Sequence, residues 1–154
     1  MSNGSIEDPK QPTNQKTNMR YMMIVKLAEG SKARPGYDAG QMPPPELMEA
    51  VGKLQARMTA EGTLLSTGGL EPPTKGAKIK AAKGKLTVTD GPFIEAKEVI
   101  GGFAILKAGS LAEAIKMGEE FLQIHLDILG PEFETEMEVR EMSEAPECGH
   151  GDAK

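Results

Sequence analysis

The sequence predicts a single α+β domain in which two helices cover one face of an antiparallel sheet. Three observations support this class: two segments with apolar residues at helical spacing, several short segments in which apolar and polar residues alternate, and glycine or proline between them. Their order is strand, helix, strand, inserted hairpin, strand, helix, strand, which is the split βαβ plan. A length of 154 residues suits one domain with one hydrophobic core.

The first part of the domain supplies a strand, a loop and a helix. Residues 20–27 are a dense run of Tyr, Met, Ile and Val, which predicts a buried central strand. Residues 28–41 contain several glycines and a proline, so we predict a mobile loop able to act as a lid. Prolines 43–45 lead into a helix that Gly62 ends. Its apolar face comprises Leu47, Val51, Leu54 and Met58.

The second part begins with a strand over residues 63–70 and an inserted hairpin. On both sides of Lys83-Gly84, apolar residues alternate with Lys or Thr, a period of two that predicts paired strands. A further strand covers residues 102–107, and a last one covers residues 135–142. Between them a capping box, Ser110 to Glu113, opens a second helix that ends near Leu129. Its predicted inward face comprises Leu111, Ala114, Ile115, Gly118, Phe121, Leu122, His125 and Leu129.

The predicted sheet has one face that the helices leave uncovered. Apolar side chains on such a face are usually buried by another subunit. The sequence therefore predicts a homodimer in which the uncovered faces of two sheets meet.

Charge and composition narrow the partners and the location. The net charge of -5 gives no electrostatic reason to expect a nucleic acid partner. The lysines of the hairpin form either a phosphate-binding patch or a solvated strand edge; they are Lys75, Lys78, Lys80, Lys83 and Lys85. No apolar run is long enough to span a membrane, and a single cysteine excludes an internal disulfide, so we expect a cytoplasmic protein. Residues 1–18 and 143–154 have the composition of disordered tails.

Residues 85–103 carry the most specific motif. They contain Asp90-Gly91-Pro92-Phe93, then acidic and basic residues up to Lys97-Glu98, and Gly101-Gly102 before Phe103. This stretch resembles the DGPF signature of the YCII-related family, and the resemblance extends over residues 19–142. It implies a ferredoxin-like fold of the dimeric α+β barrel type, in a superfamily that includes small enzymes acting on ring compounds. It also implies a gene neighbourhood shared with alternative sigma factors.

His125 and Asp90 are the candidate catalytic residues. His125 lies on the predicted inward face of the second helix, and imidazole titrates near neutral pH, which suits proton transfer. Asp90 leaves the hairpin at a turn and could orient the imidazole ring. The alternatives are a hydrogen-bonded core histidine and a purely architectural turn. The resemblance implies a histidine on the first helix, and residues 43–62 contain none.

Four further residues are candidate ligand-binding positions: Phe93, Lys97, Glu98 and Arg140. The alternative for the charged ones is surface ion pairing, and for Arg140 a pair with Glu138 on the same strand face at a subunit contact. Cys148, His150 and Asp152 supply too few ligands for a structural zinc site, so we predict no metal and no cofactor.

Two functions fit these observations. The first is a dimeric binding domain or weak acid–base enzyme for a small anionic or aromatic molecule, its substrate unknown. The second is a non-enzymatic accessory protein that binds a partner such as an alternative sigma factor. A cavity that contains His125 and Asp90 favours the first, and an exposed apolar patch elsewhere favours the second.

Overall fold

A computed structural model describes residues 18–28, 43–91 and 98–144. Its main sheet is antiparallel and four-stranded, in the order β2-β5-β1-β6. The strands are β1 (Met19–Ala28), β2 (Leu64–Gly69), β5 (Glu98–Ala108) and β6 (Glu136–Glu141). The α+β class is confirmed, and the strand order is compatible with the ferredoxin-like plan.

Two helices pack on one face of this sheet, α1 (Pro45–Ala60) and α2 (Leu111–Leu129). Proline in the first turn of α1 removes an N–H that would lack a helical partner. At the start of α2 the Ser110 hydroxyl accepts a hydrogen bond from the Glu113 N–H at 3.2 Å. The Glu113 carboxylate in turn accepts from the Gly109 N–H at 2.8 Å, one residue before the usual capping-box donor.

The core lies between the helices and the sheet. Side chains of β1 that face the helices alternate with side chains that face away, because successive residues of a strand point to opposite faces. Tyr21 and Leu106 are almost fully buried, at 1% exposure each. Met23, Leu54 and Leu106 form the centre of the main cluster, with partly buried side chains from α2 and β6 around them. Both helices are thus held by the same strand face.

The inserted hairpin forms a separate two-stranded sheet, β3 (Ala77–Ala82) and β4 (Lys85–Asp90). Lys83 and Gly84 both have positive φ, at 51° and 75°, as a two-residue type I′ turn requires. Every residue of both strands is exposed. The hairpin is therefore closed by its turn and its backbone ladder rather than by burial in its own chain.

Strand β5 begins at Glu98, four residues before the predicted start. The register with β1 shifts because Val25 lies opposite Gly102 and Lys26 lies opposite Ile100, which leaves Gly101 as an extra residue. A Cβ at Gly101 would lie 2.6 Å from the Leu27 side chain, so a larger residue in this bulge would displace that side chain. Because the bulge breaks the regular pairing of β5, the sequence pattern did not show that the strand begins at Glu98.

The predicted inward face of α2 is wrong at two positions. Leu111 and Ile115 are 49% and 41% exposed, although they share the apolar face with buried Ala114 and Gly118. The apolar surface of α2 is wider than the described sheet, which ends at β6. The outer part of that surface thus extends past the edge strand.

Several predictions fall on residues outside the described ranges. They are the tail residues 1–17 and 145–154, almost all of the predicted lid, and the Cys148 to Asp152 segment. Among the described helices, none combines the length and hydropathy needed to cross a bilayer.

Candidate ligand cavity

A cavity of about 900 Å³ lies between the two helices and the sheet. Residues from four strands, both helices and the turn after α2 line it. Representative lining residues are Met23, Leu27, Val51, Leu54, Phe121 and Phe133. The volume matches that of ligand sites in folded proteins, which range over roughly 300–1,000 Å³.

The position of the cavity follows from the directions of the elements. β1 ends at this side of the sheet, and the prolines before α1 line it together with Leu47 from the first turn. From α2, the last two turns supply His125 and Leu129. The cavity thus runs along α1 from its first turn to Met58 and along α2 from Met117 to Leu129.

The described lining is almost entirely apolar and contains no Asp, Glu, Lys or Arg. Its polar side chains belong to Gln55, Thr67, His125 and Thr135. The Thr67 and Thr135 hydroxyls already donate to backbone carbonyl oxygens, those of Phe103 and Lys26, at 3.0 Å each. An anion placed here would lose its hydration without gaining an opposite charge from these residues, which is costly.

His125 is held in a fixed orientation. Its Nδ1 lies 2.8 Å from the backbone oxygen of Phe121, one turn earlier in α2. A carbonyl oxygen only accepts, so Nδ1 carries a proton, and a proton transferred to the neutral ring goes to Nε2. The ring also contacts two phenylalanines, Phe121 at 4.5 Å and Phe133 at 5.4 Å between centroids, the second nearly parallel at 27°. The three rings form one aromatic wall.

Asp90 lies elsewhere in the described structure. It is the last residue of β4, pairs with Ala77, and is exposed. His125 lines the cavity, and Asp90 is absent from its described lining. The joint function of these two residues therefore stays a prediction, with only His125 at the cavity.

Arg140 lies on the sheet face that the helices leave open, opposite Met22. Its Nε is 2.7 Å from a Glu138 carboxylate oxygen, and the Lys26 ammonium is 2.9 Å from the other oxygen. The hydrogen bond from Lys26 lowers the pKa of Glu138, burial raises it, and the charge of Arg140 lowers it further. This ion pair is the alternative that the sequence offered for Arg140.

The remaining predicted ligand-binding residues lie at the edge of the described structure. Phe93 and Lys97 fall outside it, and of Glu98 only the backbone is described, paired with Ala28. In residues 18–28, 43–91 and 98–144, no three His, Cys, Asp or Glu side chains converge in a way that could hold a metal ion.

Sequence reasoning missed the aromatic partner of His125. Phe133 follows the Gly130-Pro131 stop of α2 and is 8% exposed. Its position depends on Gly130, whose φ of 86° turns the chain back toward the helix. An isolated aromatic residue directly after a helix stop was the available signal.

Comparison with known proteins identifies the family of this domain. Residues 19–121, more than half of the chain, match the YCII-related domain. The chain belongs to the YCII-related domain family. A relative in Rhizobium meliloti (strain 1021) is described as an uncharacterized protein and is 31% identical over 74 residues. That alignment covers 48% of this chain and 60% of the relative, so it spans less than two thirds of the relative's length.

Proposed function

We propose that this YCII-related domain binds a small, neutral, largely aromatic molecule in the cavity between its helices and its sheet. The observation that carries the proposal is the large apolar cavity whose described lining has no charged side chain. Apolar walls with a few polar groups are typical of small-molecule sites.

The cavity lining supports one of the two ligand classes that the sequence leaves open. An anionic ligand requires a cation or several N–H donors to replace its hydration. Besides two threonine hydroxyls that already donate to backbone oxygens, the described lining supplies the amide of Gln55 and the imidazole of His125. An aromatic ring instead gains apolar contact and stacking against Phe121 and Phe133. These features support a neutral aromatic ligand over an anionic one.

Weak acid–base catalysis is the natural extension of this binding role. The imidazole of His125, with Nδ1 held toward the Phe121 oxygen, is the group of the described lining suited to acid–base chemistry. In the described structure no carboxylate lines the cavity to complete a His–Asp pair. We therefore propose binding as the main function, with His125 as the one imidazole of the described lining.

The test of the binding role is a thermal-shift screen with matched ligands, each neutral aromatic alcohol or amide beside its carboxylate analogue. A ligand that binds only the folded state raises its stability, by about 2.7 kcal/mol at 100 times Kd. We expect shifts from the neutral member of a pair and none from the acid. Carboxylates binding more tightly than their neutral analogues would overturn the choice of ligand class.

A variant that fills the cavity locates the bound molecule. Val51 lines the cavity, whereas Lys53 points outward from the same helix and is 77% exposed. We expect Val51→Trp to abolish the ligand-induced shift and Lys53→Trp to retain it, with both proteins folded. Retention of the full shift by a folded Val51→Trp would place the ligand elsewhere.

His125→Gln and Asp90→Asn test the predicted catalytic residues separately. We expect His125→Gln to weaken binding of a hydroxyl- or amide-bearing ligand about tenfold, because one hydrogen bond contributes roughly 1 kcal/mol or more. If Asp90 serves the same site, Asp90→Asn weakens binding as well. Loss of stability with unchanged affinity in both variants contradicts the functional role.

We also propose that the domain is a homodimer. The sheet face without helices carries apolar side chains, Met22, Ile24, Phe103 and Ile105, by the pairing of β1 with β5. Ile100, on the same face, is 46% exposed. Burial of this face against a second subunit would complete an assembly of the dimeric α+β barrel type. Sedimentation at micromolar concentration tests it, and a monomer would refute it.

A further inference from the structure

The β3–β4 hairpin exposes an apolar face that no described residue of the chain covers. Ile79, Leu86 and Val88 are 70%, 74% and 66% exposed. Ile79 lies opposite Val88, and Leu86 lies opposite Ala81, so all of them are on one face. An isolated two-stranded hairpin is only marginally stable in water. The exposed face therefore indicates a surface that docks against something else.

A second apolar surface lies at the β6 edge of the main sheet. Leu111, Ile115 and Leu126, at helical spacing on α2, are 41% to 49% exposed. Below them a groove of about 300 Å³ runs between α2 and the inner side chains of β6, Met137 and Val139. Within the described residues β6 is an edge strand, paired on one side with β1. The exposed side chains of α2 thus overhang the position of one more strand.

The two faces of the hairpin suit the two faces that the main sheet would have in a strand added beside β6. A strand added beside β6 lies about 4.8 Å away and continues both faces of the sheet. In one orientation the apolar hairpin face would lie under α2. The opposite hairpin face, which carries Lys80 and Lys85, would then lie beside Glu136 and Glu138 on the helix-free face of β6.

Charge supports a second copy of this chain as the partner. The hairpin region carries five lysines in eleven residues, on a chain whose net charge is -5. Helix α2 carries Glu113, Glu119, Glu120 and Asp127 against the single Lys116. β6 likewise has more carboxylates than cations, with Arg140 as its single basic residue. Two hairpins would repel each other, whereas a hairpin and the α2–β6 edge of another copy attract.

The hairpin cannot reach this edge in its own chain by a short path. It is inserted between β2 and β5, and β2 forms the opposite edge of the sheet from β6. Its exposed side chains agree with the absence of such an internal contact. Exchange of hairpins between two copies about a twofold axis uses both surfaces in each copy and closes the assembly.

We propose that the β3–β4 hairpin of one copy adds to edge strand β6 of a second copy, with Ile79, Leu86 and Val88 packed under α2. This inference rests on the proposed homodimer and names one of its contacts. The contact is distinct from the helix-free sheet face, so each can be disrupted alone.

Sedimentation equilibrium of the full chain and of matched variants tests the proposal. Val88→Asp places a charge on the apolar hairpin face, and Thr89→Asp places the same charge on the opposite face of the same strand. Both side chains are exposed in one protomer, so neither change should unfold it. We expect Val88→Asp to raise the dimer dissociation constant about tenfold or more. Thr89→Asp should leave that constant close to the wild-type value, because the apolar face is unchanged.

Exchange of charges between the hairpin and β6 tests whether the hairpin lysines contribute to the contact. We expect Lys80→Glu with Lys85→Glu to weaken the dimer by about tenfold. Addition of Glu136→Lys to the same chain should restore part of the affinity, since each copy supplies both surfaces. Restoration would be absent if the lysines face solvent or a different protein.

The outcomes separate the two proposals. A wild-type monomer refutes the homodimer and with it the hairpin contact. A wild-type dimer that Val88→Asp leaves intact, but that Ile100→Asp dissociates, refutes the hairpin contact and supports the sheet-face contact alone. Dissociation by Val88→Asp with rescue in the charge exchange supports the hairpin contact.

Discussion

The helix-covered part of the sheet and the β3–β4 hairpin both carry apolar side chains on a strand face, with opposite burial. Phe103–Leu106 of β5 are apolar at every position, whereas apolar residues recur at every second position in β4. Leu106 in β5 is 1% exposed, and Leu86 in β4 is 74% exposed. The difference lies in the neighbouring elements, because two helices cover β5 and no described element covers β4. Alternation therefore predicts that a strand has an apolar face, and packing decides what covers that face.

The largest expected effect is on the free energy of unfolding, and it should distinguish the helix-covered sheet from the hairpin. Truncation of a buried side chain removes contacts and leaves a cavity, so we expect Leu106→Ala to lower the free energy of unfolding by about 2–5 kcal/mol. Leu86→Ala should change it by no more than about 0.5 kcal/mol, as for exposed positions. Urea unfolding at low protein concentration, where association is negligible, measures both. Equal losses would show that the hairpin is buried within its own chain.

A smaller effect is expected where the hairpin joins the main sheet. Gly91 follows β4, and its N–H donates to the Gly76 oxygen at 2.9 Å. A Cβ at Gly91 would lie 1.8 Å from the Pro73 oxygen, whereas a Cβ at Gly76 would lie 3.6 Å from that atom. We expect Gly91→Ala to cost about 1–3 kcal/mol and Gly76→Ala considerably less.

Hydrogen exchange shows which part of the molecule loses stability in Gly91→Ala. Faster exchange of the β3 and β4 amides in Gly91→Ala, with slow exchange retained in β1, would show that the junction positions the hairpin. Unchanged exchange in the hairpin together with full stability would contradict the close contact between Gly91 and the Pro73 carbonyl.

The smallest effect concerns pH and the helix-free face. The pKa of Glu138 is lowered, first by the hydrogen bond from Lys26. A lowered folded-state pKa stabilises the protein above the ordinary carboxyl pKa, and the stabilisation is lost as pH falls through the lowered value. We therefore expect Glu138→Gln to be less stable than the wild type at neutral pH and to converge with it in acid. Glu136→Gln, two residues away on the same face, is the control in thermal unfolding from neutral to acidic pH.

The positions of most elements could be predicted because their signals are local. Prolines before α1, the capping box before α2 and Gly130 after it mark helix ends through backbone geometry within a few residues. The Lys83-Gly84 turn marks the hairpin in the same way. The start of β5 could not be predicted, since the extra residue at Gly101 depends on pairing with β1, which is distant in sequence.

Within the candidate site, the sequence predicted His125 but not the residues that surround it. His125 follows from helical periodicity, because an apolar stripe on α2 defines which side chains face inward. Phe133 stacks on it only because the chain reverses at Gly130. The exposure of Leu111 and Ile115 was likewise hidden, since periodicity does not show where the sheet beneath a helix ends.

The sequence by itself determined the α+β class, the element order, the helix ends and the hairpin turn, because each depends on propensities and patterns within short segments. The tertiary structure decided that His125 belongs to the described lining of the cavity and Asp90 does not, and that this lining is uncharged. It also decided which apolar faces stay exposed. These features depend on which strands become neighbours and where the sheet ends, and such long-range pairing is not encoded in any one segment.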